Sequence, residues 1–242
     1  MSNSRLIDYI KISPNSTNPR KDEIRKITIH HMAGNLTIEQ CGDVFANKKR
    51  KASSNYGIGS DGRIGMYVEE KNRAWTSSNA DNDNQAITIE VANDKLSGDW
   101  HVSDNALKAL IDLCVDICER NMISCLNFTG NKHGNLTMHK YFANTVCPGA
   151  YLESKFPYIA EEVNKRLGIV EEVFEPHIVR VTAVKLNIRS GPGTNYSVVG
   201  CIGKRELYTI IEKQRGEGSQ SGWGKLKSGA GWISMDHTET ID

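Results

Sequence analysis

His30, His31, His139 and Cys147 are the residues of this 242-residue chain best suited to metal chemistry. The histidine pair closes the run Ile27-Thr28-Ile29-His30-His31. His139 follows Leu136-Thr137-Met138, and Cys147 lies in Asn144-Thr145-Val146-Cys147-Pro148-Gly149. Two imidazoles and one thiolate hold a zinc ion and leave its fourth position open, which separates a catalytic site from a closed structural one. The step from His139 to Cys147 is too loose for a zinc-finger knuckle. It suits ligands on a strand end and the loop after it. Glu90, in Ile87-Thr88-Ile89-Glu90-Val91, is an acid inside an apolar strand. An unpaired charge is costly to bury, so Glu90 is the candidate general base of a hydrolase. The alternative is that it faces solvent on the polar side of the sheet. His133 is close enough in sequence to be a rival ligand, and otherwise reads with His101 as a surface residue.

The elements that must position these residues follow from the pattern. Residues 1–23 are polar and read as a lead-in arm. Ile24 to His31 alternates as a strand. Thr37 with Gln40 predicts a capping box before a short helix. Tyr56 to Val68 predicts a hairpin with Asp61-Gly62 at its turn, and Ala86 to Val91 a buried strand. Ser103 or Asp104 caps an amphipathic helix through about Arg120. A last helix runs from about Ala150 to Leu167 and stops at Gly168. Pro157 inside it predicts a kink or a first turn. Cys114 and Cys118 share a helix face with Leu107, Leu110 and Ile111 and read as core rather than as ligands. Cys41 and Cys201, among apolar neighbours, read the same way.

Five segments, ITIHHMAG, SSNYGIGSDGRIGMYVEE, NRAWTSS, NQAITIEV and TMHKYFANTVCPG, occur in this order across roughly residues 24–168. Together they resemble the zinc-dependent N-acetylmuramoyl-L-alanine amidases of the amidase-2 class, which includes phage T7 lysozyme and the peptidoglycan recognition proteins. The resemblance implies an α/β fold with a mixed central sheet flanked by helices. It also implies a Zn2+ cofactor and hydrolysis of the amide between N-acetylmuramic acid and L-alanine in bacterial peptidoglycan. It assigns His30, His139 and Cys147 as ligands and leaves His31 outside that set. It places a catalytic Glu at Glu90 and puts Tyr56 near the zinc-bound water or the carbonyl, with packing on the hairpin as the alternative for Tyr56. Thr145 occupies a position where T7-like members carry Lys and many recognition-protein amidases carry Thr. A hydroxyl donates a hydrogen bond without bringing charge, so the oxyanion donor stays open. Trp75 and Asn79 are candidates to line the substrate cleft, with core or rim packing as the alternative for Trp75.

After Glu171-Glu172-Val173-Phe174-Glu175-Pro176, which reads as a linker, the texture changes to short β-rich runs between Gly, Pro and Ser turns. Leu186-Asn187-Ile188-Arg189-Ser190-Gly191-Pro192-Gly193-Thr194, with Gly222-Trp223-Gly224 and Gly231-Trp232-Ile233 further on, resembles a bacterial SH3 domain over about residues 177–236. That resemblance implies a small all-β barrel binding cell-wall peptides. The expected organisation is a catalytic domain over 1–170, a linker over 171–176 and a wall-binding domain over 177–242. Tyr196, Trp223 and Trp232 are candidates for an aromatic groove, with core filling as the alternative and Trp223 as the better ligand candidate.

Composition narrows the classes. Net charge is +1, and the chain has 38% apolar and 24% charged residues, as ordinary globular proteins do. From Pro176 onward there are 9 Lys/Arg against 6 Asp/Glu, and before it 21 against 23. A basic tail beside an acidic body points weakly to an anionic surface as partner. The aromatic and Arg content of the tail is too thin for an oligonucleotide platform. No stretch has the length of a membrane span, and the N-terminus lacks the apolar run of a signal peptide. The expectation is a monomer made in the cytoplasm that acts on the wall after release, as a phage or prophage endolysin does. The alternatives are a host autolysin with the same chemistry and a non-catalytic peptidoglycan sensor. Non-catalytic relatives commonly lack the Cys, whereas Cys147 is present here.

Overall fold

A computed structural model describes residues 2–169, 174–202 and 205–241. The chain divides into two compact units, Met1–Val170 and Glu171–Asp242. Residues 171–173 of the expected linker lie outside the described residues.

The first unit contains β1 (Tyr9–Ile10), β2 (Ser16–Thr17), β3 (Lys26–His31), α1 (Ile38–Ala46), β4 (Tyr56–Ile58), β5 (Ile64–Met66), β6 (Arg73–Ala74), α2 (Ala80–Gln85), β7 (Ala86–Val91), α3 (Asp104–Arg120), β8 (Leu136–Met138) and α4 (Ala150–Arg166). Six strands form a mixed sheet in the order β1-β5-β4-β7-β3-β8. The hairpin pair β4 and β5 is antiparallel, and the other neighbours run parallel.

Side chains alternate along a strand, so residues paired across the sheet share a face. On one face His30 stands beside Glu90, Glu90 beside Gly57, and Thr28 between Thr88 and Thr137. On the other, Ile29 stands between Ile89 and Met138, and Ile89 is paired in turn with Tyr56. This second face is the core. Ile27, Ile29, Tyr56, Ile87, Ile89 and Met138 form one buried cluster with Leu110, Leu113 and Ile117 of α3 and Phe156 and Ile159 of α4. Each such aliphatic side chain contributes about 1.5–3 kcal/mol by leaving water.

Local signals set the helix starts. The Thr37 hydroxyl accepts from the Gln40 N–H at 3.2 Å, and the Gln40 side chain accepts from the Thr37 N–H at 2.9 Å, which closes the predicted capping box. Ser103 rather than Asp104 caps α3, accepting from the Ala106 N–H at 3.1 Å. The helix α4 runs through Pro157, which is neither a first turn nor an end. Pro157 is exposed, so water can satisfy the carbonyl that its missing N–H leaves free. Cys114 and Cys118 are buried on α3.

The second unit is all-β: β9 (His177–Val181), β10 (Leu186–Arg189), β11 (Val198–Ile202), β12 (Leu207–Gln214), β13 (Trp223–Leu226), β14 (Trp232–Ser234) and β15 (Thr238–Ile241). They form one antiparallel sheet in the order β11-β10-β14-β13-β12-β9-β15. Val179, Val181, Leu186, Ile202, Ile210, Leu226, Ile233 and Met235 meet in its core. Cys201 is exposed, against the expectation of a core residue. It sits on the terminal strand β11, where alternation turns Ile202 inward and Cys201 out. Among the described residues no helix is long and apolar enough to cross a membrane.

Candidate metal centre

Three elements deliver the donors. His30 stands near the end of β3, His139 opens a 3-10 turn directly after β8, and Cys147 lies on the loop leading into α4. The ligating atoms of His30, His139 and Cys147 lie within 4.8 Å of one another. The two imidazoles are tilted at 48° with centroids 4.5 Å apart. The loop is fixed by the Lys140 N–H donating to the Cys147 carbonyl at 3.1 Å, and by the Gly149 N–H donating to the Val146 carbonyl at 2.9 Å.

The alternation of β3 distinguishes the two adjacent histidines. His30 shares the face of Glu90, whereas His31 is paired with Val91. The His31 ring packs edge-on against Trp100 at 5.2 Å, and its backbone N–H donates to the Cys147 sulfur at 3.4 Å. His31 therefore supports the thiol without joining the three donors.

His139, Cys147, Glu90, Thr145, His31 and Arg50 line a cavity of about 290 Å³, whose apolar wall includes Met32, Leu36, Val44 and Phe45. Burial holds the His30 imidazole well below its ordinary pKa, with His139 and His31 acting in the same direction. Burial also lowers His139. Both rings are thus neutral at pH 7, the form that ligates a cation. Burial pushes the Cys147 thiol up, and the nearby Glu90 adds to the rise, so its thiolate needs a cation close by.

The donors fit such a cation. Nε2 of His30 and Nε2 of His139 are buried with no hydrogen-bond partner among the described residues. Buried polar atoms left unpaired are costly. Two imidazoles and a thiol leaving this cost open form the N/S set that zinc takes.

Glu90 keeps partial exposure, but its Oε2 is closed off and lacks a hydrogen-bond partner among the described residues. Burial pushes its carboxyl up to about 8, against a smaller opposing pull from the Arg50 guanidinium. The Thr145 hydroxyl oxygen accepts from the Cys147 N–H at 3.2 Å, which leaves its own O–H free to donate elsewhere.

Tyr56 is not in this cavity. Its register against Ile89 puts it on the opposite, core face of the sheet. There its hydroxyl donates to Glu70 Oε1 at 2.6 Å and accepts from the Ser4 N–H at 3.0 Å. Trp75 and Asn79 line a separate depression together with Lys51 and Arg73. The Trp75 indole donates to the Thr17 hydroxyl at 2.9 Å, and Asn79 caps α2 through the Asn82 N–H at 2.9 Å. His133 borders another depression with Lys132 and Phe142. The Nδ1 atom of His101 lies 2.7 Å from Asp94.

In the second unit the expected aromatic groove is largely closed. Trp223 and Trp232 are 3% and 8% exposed, and the Trp223 indole donates to the Glu217 carbonyl at 3.2 Å. Trp223, the better candidate from sequence, is the more buried because β13 lies inside the sheet between β12 and β14. Tyr196 is exposed. Arg50 and the apolar wall are cavity residues with no distinguishing pattern in the sequence. The available signal was the run Lys48-Lys49-Arg50-Lys51, which by itself reads as a solvated face.

Solved structures share the fold of the first unit. The PlyG catalytic domain has a TM-score of 0.53 at 15% identity, covering 69% of this chain and 98% of that one. The XlyA catalytic domain has a TM-score of 0.51 at 15% identity, covering 65% and 99%. A mutant endolysin from Bacillus subtilis has a TM-score of 0.51 at 17% identity, again covering 65% and 99%. No curated protein matches the chain. The sequence model of one family, described as N-acetylmuramoyl-L-alanine amidase, matches residues 20–150, a span that holds His30, Glu90, His139 and Cys147. With more than half of its length matched, the chain belongs to the N-acetylmuramoyl-L-alanine amidase family.

Proposed function

We propose that the protein hydrolyses the amide bond between N-acetylmuramic acid and L-alanine in bacterial peptidoglycan, with Zn2+ held by His30, His139 and Cys147. The observation that carries this reading is the convergence of these three donors beside Glu90, with buried imidazole nitrogens left unpartnered. A zinc ion bound there would polarise the scissile carbonyl and lower the pKa of water toward about 7. Glu90 takes a proton from the attacking water and returns one to the departing alanine nitrogen. Its raised carboxyl is suited to both transfers. The carbon–nitrogen bond breaks, the carbonyl carbon gains the water oxygen, and the stem peptide leaves with a free amino group. The Thr145 O–H donates to the carbonyl oxygen as charge builds on it. The His31 N–H, on the Cys147 sulfur, holds that side chain in place.

Purified walls test the reading directly. The expected products are free L-alanine amino groups without new reducing sugar ends, from a protein that carries zinc by elemental analysis. New reducing ends without amino groups would make it a glycosidase and end the proposal.

We infer further that residues 1–170 are the catalytic domain and that 177–242, joined through 171–176, are an SH3-like domain that tethers a monomeric endolysin to walls. The all-β unit with its own core, its excess of Lys and Arg and exposed Tyr196 support this reading. Tethering raises the local concentration of an enzyme at a surface substrate. The isolated tail should sediment with walls, and a tail that stays in the supernatant with every wall tested would remove the tethering role.

A further inference from the structure

We propose that Arg50 recognises a carboxylate on the peptide side of the scissile bond, so that the protein discriminates substrates by whether the first carboxyl group after the alanine is free or amidated. The inference rests on the amidase reading above.

Arg50 lines the same cavity as His139, Cys147, Glu90 and Thr145, and it is the only Lys or Arg among the described lining residues. Its guanidinium makes no ion pair among the described residues. It is close enough to Glu90 to pull on that carboxyl, yet it does not bond to it. The cavity thus has a cation at its edge whose partner is not supplied by the protein.

The backbone beneath Arg50 is pinned. Asn47 Oδ1 accepts from the Lys49 N–H at 2.9 Å, and the Arg50 N–H donates to the Asn47 carbonyl at 3.0 Å. The Asn15 side chain reaches that same carbonyl at 2.9 Å. The backbone from which the Arg50 side chain leaves is therefore fixed at the edge of the cavity.

Its exposure decides what it binds. A group that stabilises the reacting oxygen belongs in the dry interior beside the donors, where Thr145 offers its hydroxyl. An exposed guanidinium at the edge suits a solvated anion, which its planar fork meets with two parallel hydrogen bonds. N-acetylated sugars carry no charge, and the lactyl carboxyl is consumed in the amide. The anion must therefore sit on the peptide. A cavity of about 290 Å³ is small for a ligand site, so it takes a short segment near the alanine and not a whole stem.

The test uses two soluble muramoyl peptides identical except that the first carboxyl after the alanine is free in one and capped as its amide in the other. For the zinc-loaded full chain, kcat/KM should favour the free acid by roughly 10- to 100-fold, chiefly through KM. The ratio should shrink as salt is added. Arg50→Gln should bring the ratio near one, Arg50→Lys should restore part of it, and Lys49→Gln, outside the cavity, should leave it as it is. A wild-type ratio near one, with the alanine amide still cleaved, overturns the proposal alone. An Arg50→Gln loss that falls equally on kcat for both peptides puts Arg50 at the reacting carbonyl and overturns it too. If neither peptides nor walls are opened at that amide, the amidase reading fails and the proposal falls with it.

Discussion

The two faces of the central sheet are built from the same strands and do opposite things. At successive positions of β3 and β7, Ile29 and Ile89 enter the core while His30 and Glu90 enter the site. One face is filled by the apolar side chains of α3 and α4. The other keeps imidazole nitrogens and a carboxylate oxygen buried and unpaired. The period of two lets one strand carry a stability function and a chemical function with no compromise at either residue. The adjacent pair His30 and His31 shows how sharp the division is, since a step of one residue separates one of the three clustered donor side chains from a ring packed on Trp100.

The strongest test of this division is to remove a donor. His30→Ala, His139→Ala and Cys147→Ser should each lose zinc and wall hydrolysis while keeping far-UV circular dichroism, because a hydroxyl or a methyl replaces a ligand atom. His31→Ala should keep zinc. A His31→Ala protein that folds without metal would mean that the wrong histidine has been assigned.

Glu90→Gln is expected next in size. It should bind zinc and lose about 10²–10⁴-fold in turnover, the usual contribution of a proton-transfer group. The same substitution should alter stability in the opposite direction. In the metal-free protein the carboxyl rises from its ordinary 4.5 to about 8, so between those values the unfolded chain is ionised and the folded one is still protonated. Stability should fall as pH climbs through that window, by on the order of a few kcal/mol, and level off above it. Glu90→Gln should flatten the slope in urea melts. A wild-type profile already flat from pH 4.5 to 8 would show that Glu90 is not desolvated as described.

How much of this was legible in the sequence depends on how local the signal is. The Thr37–Gln40 capping box, the Ser103 cap and the stop at Gly168 involve residues within a turn of one another, and each is where the sequence puts it. The strands carrying His30 and Glu90 show their alternation directly. Between the two places the sequence leaves open for Tyr56, the site and packing on the hairpin, only the register of β4 against β7 decides, a pairing between residues 33 positions apart that no local pattern encodes. Asn79 is a cleft candidate by resemblance, but its type and position also spell a helix cap, which is the role it takes. The glycines beside Trp223 suggest access, yet the place of β13 between β12 and β14, a long-range pairing, buries the ring. Arg50 was invisible because only the fold separates one useful cation from three solvated ones beside it.

On the core face the expected cost is stability without chemistry. Ile89→Ala should destabilise by about 2–5 kcal/mol, since Ile89 is fully buried among the strands and α3. Zinc content and turnover per folded molecule should stay near wild type. Loss of metal from a folded Ile89→Ala protein would mean that the two faces are coupled more tightly than their alternation suggests.

The smallest effect, and the finest discrimination, comes from Tyr56→Phe. The ring fills the core face and would remain, so no cavity opens. What disappears is the hydroxyl that donates to Glu70 at 2.6 Å and accepts from the Ser4 N–H at 3.0 Å. Glu70 is buried, but it keeps two bonds from Arg120, at 2.7 and 2.8 Å. Its charge therefore remains compensated after the substitution. The loss should then be about 2–4 kcal/mol, the worth of one hydrogen bond to a charged group and one from a buried N–H, and it should appear as a lower urea midpoint with the slope unchanged. Turnover at saturating substrate should match wild type, because the hydroxyl points away from the face that holds Glu90 and the donors. A role at the attacked carbonyl makes the contrary forecast: unchanged stability, full zinc and a large drop in kcat. Measuring the urea midpoint and kcat on the same preparation therefore decides whether this tyrosine belongs to the chemistry or to the core, and with it whether the sheet register assigns the two faces correctly.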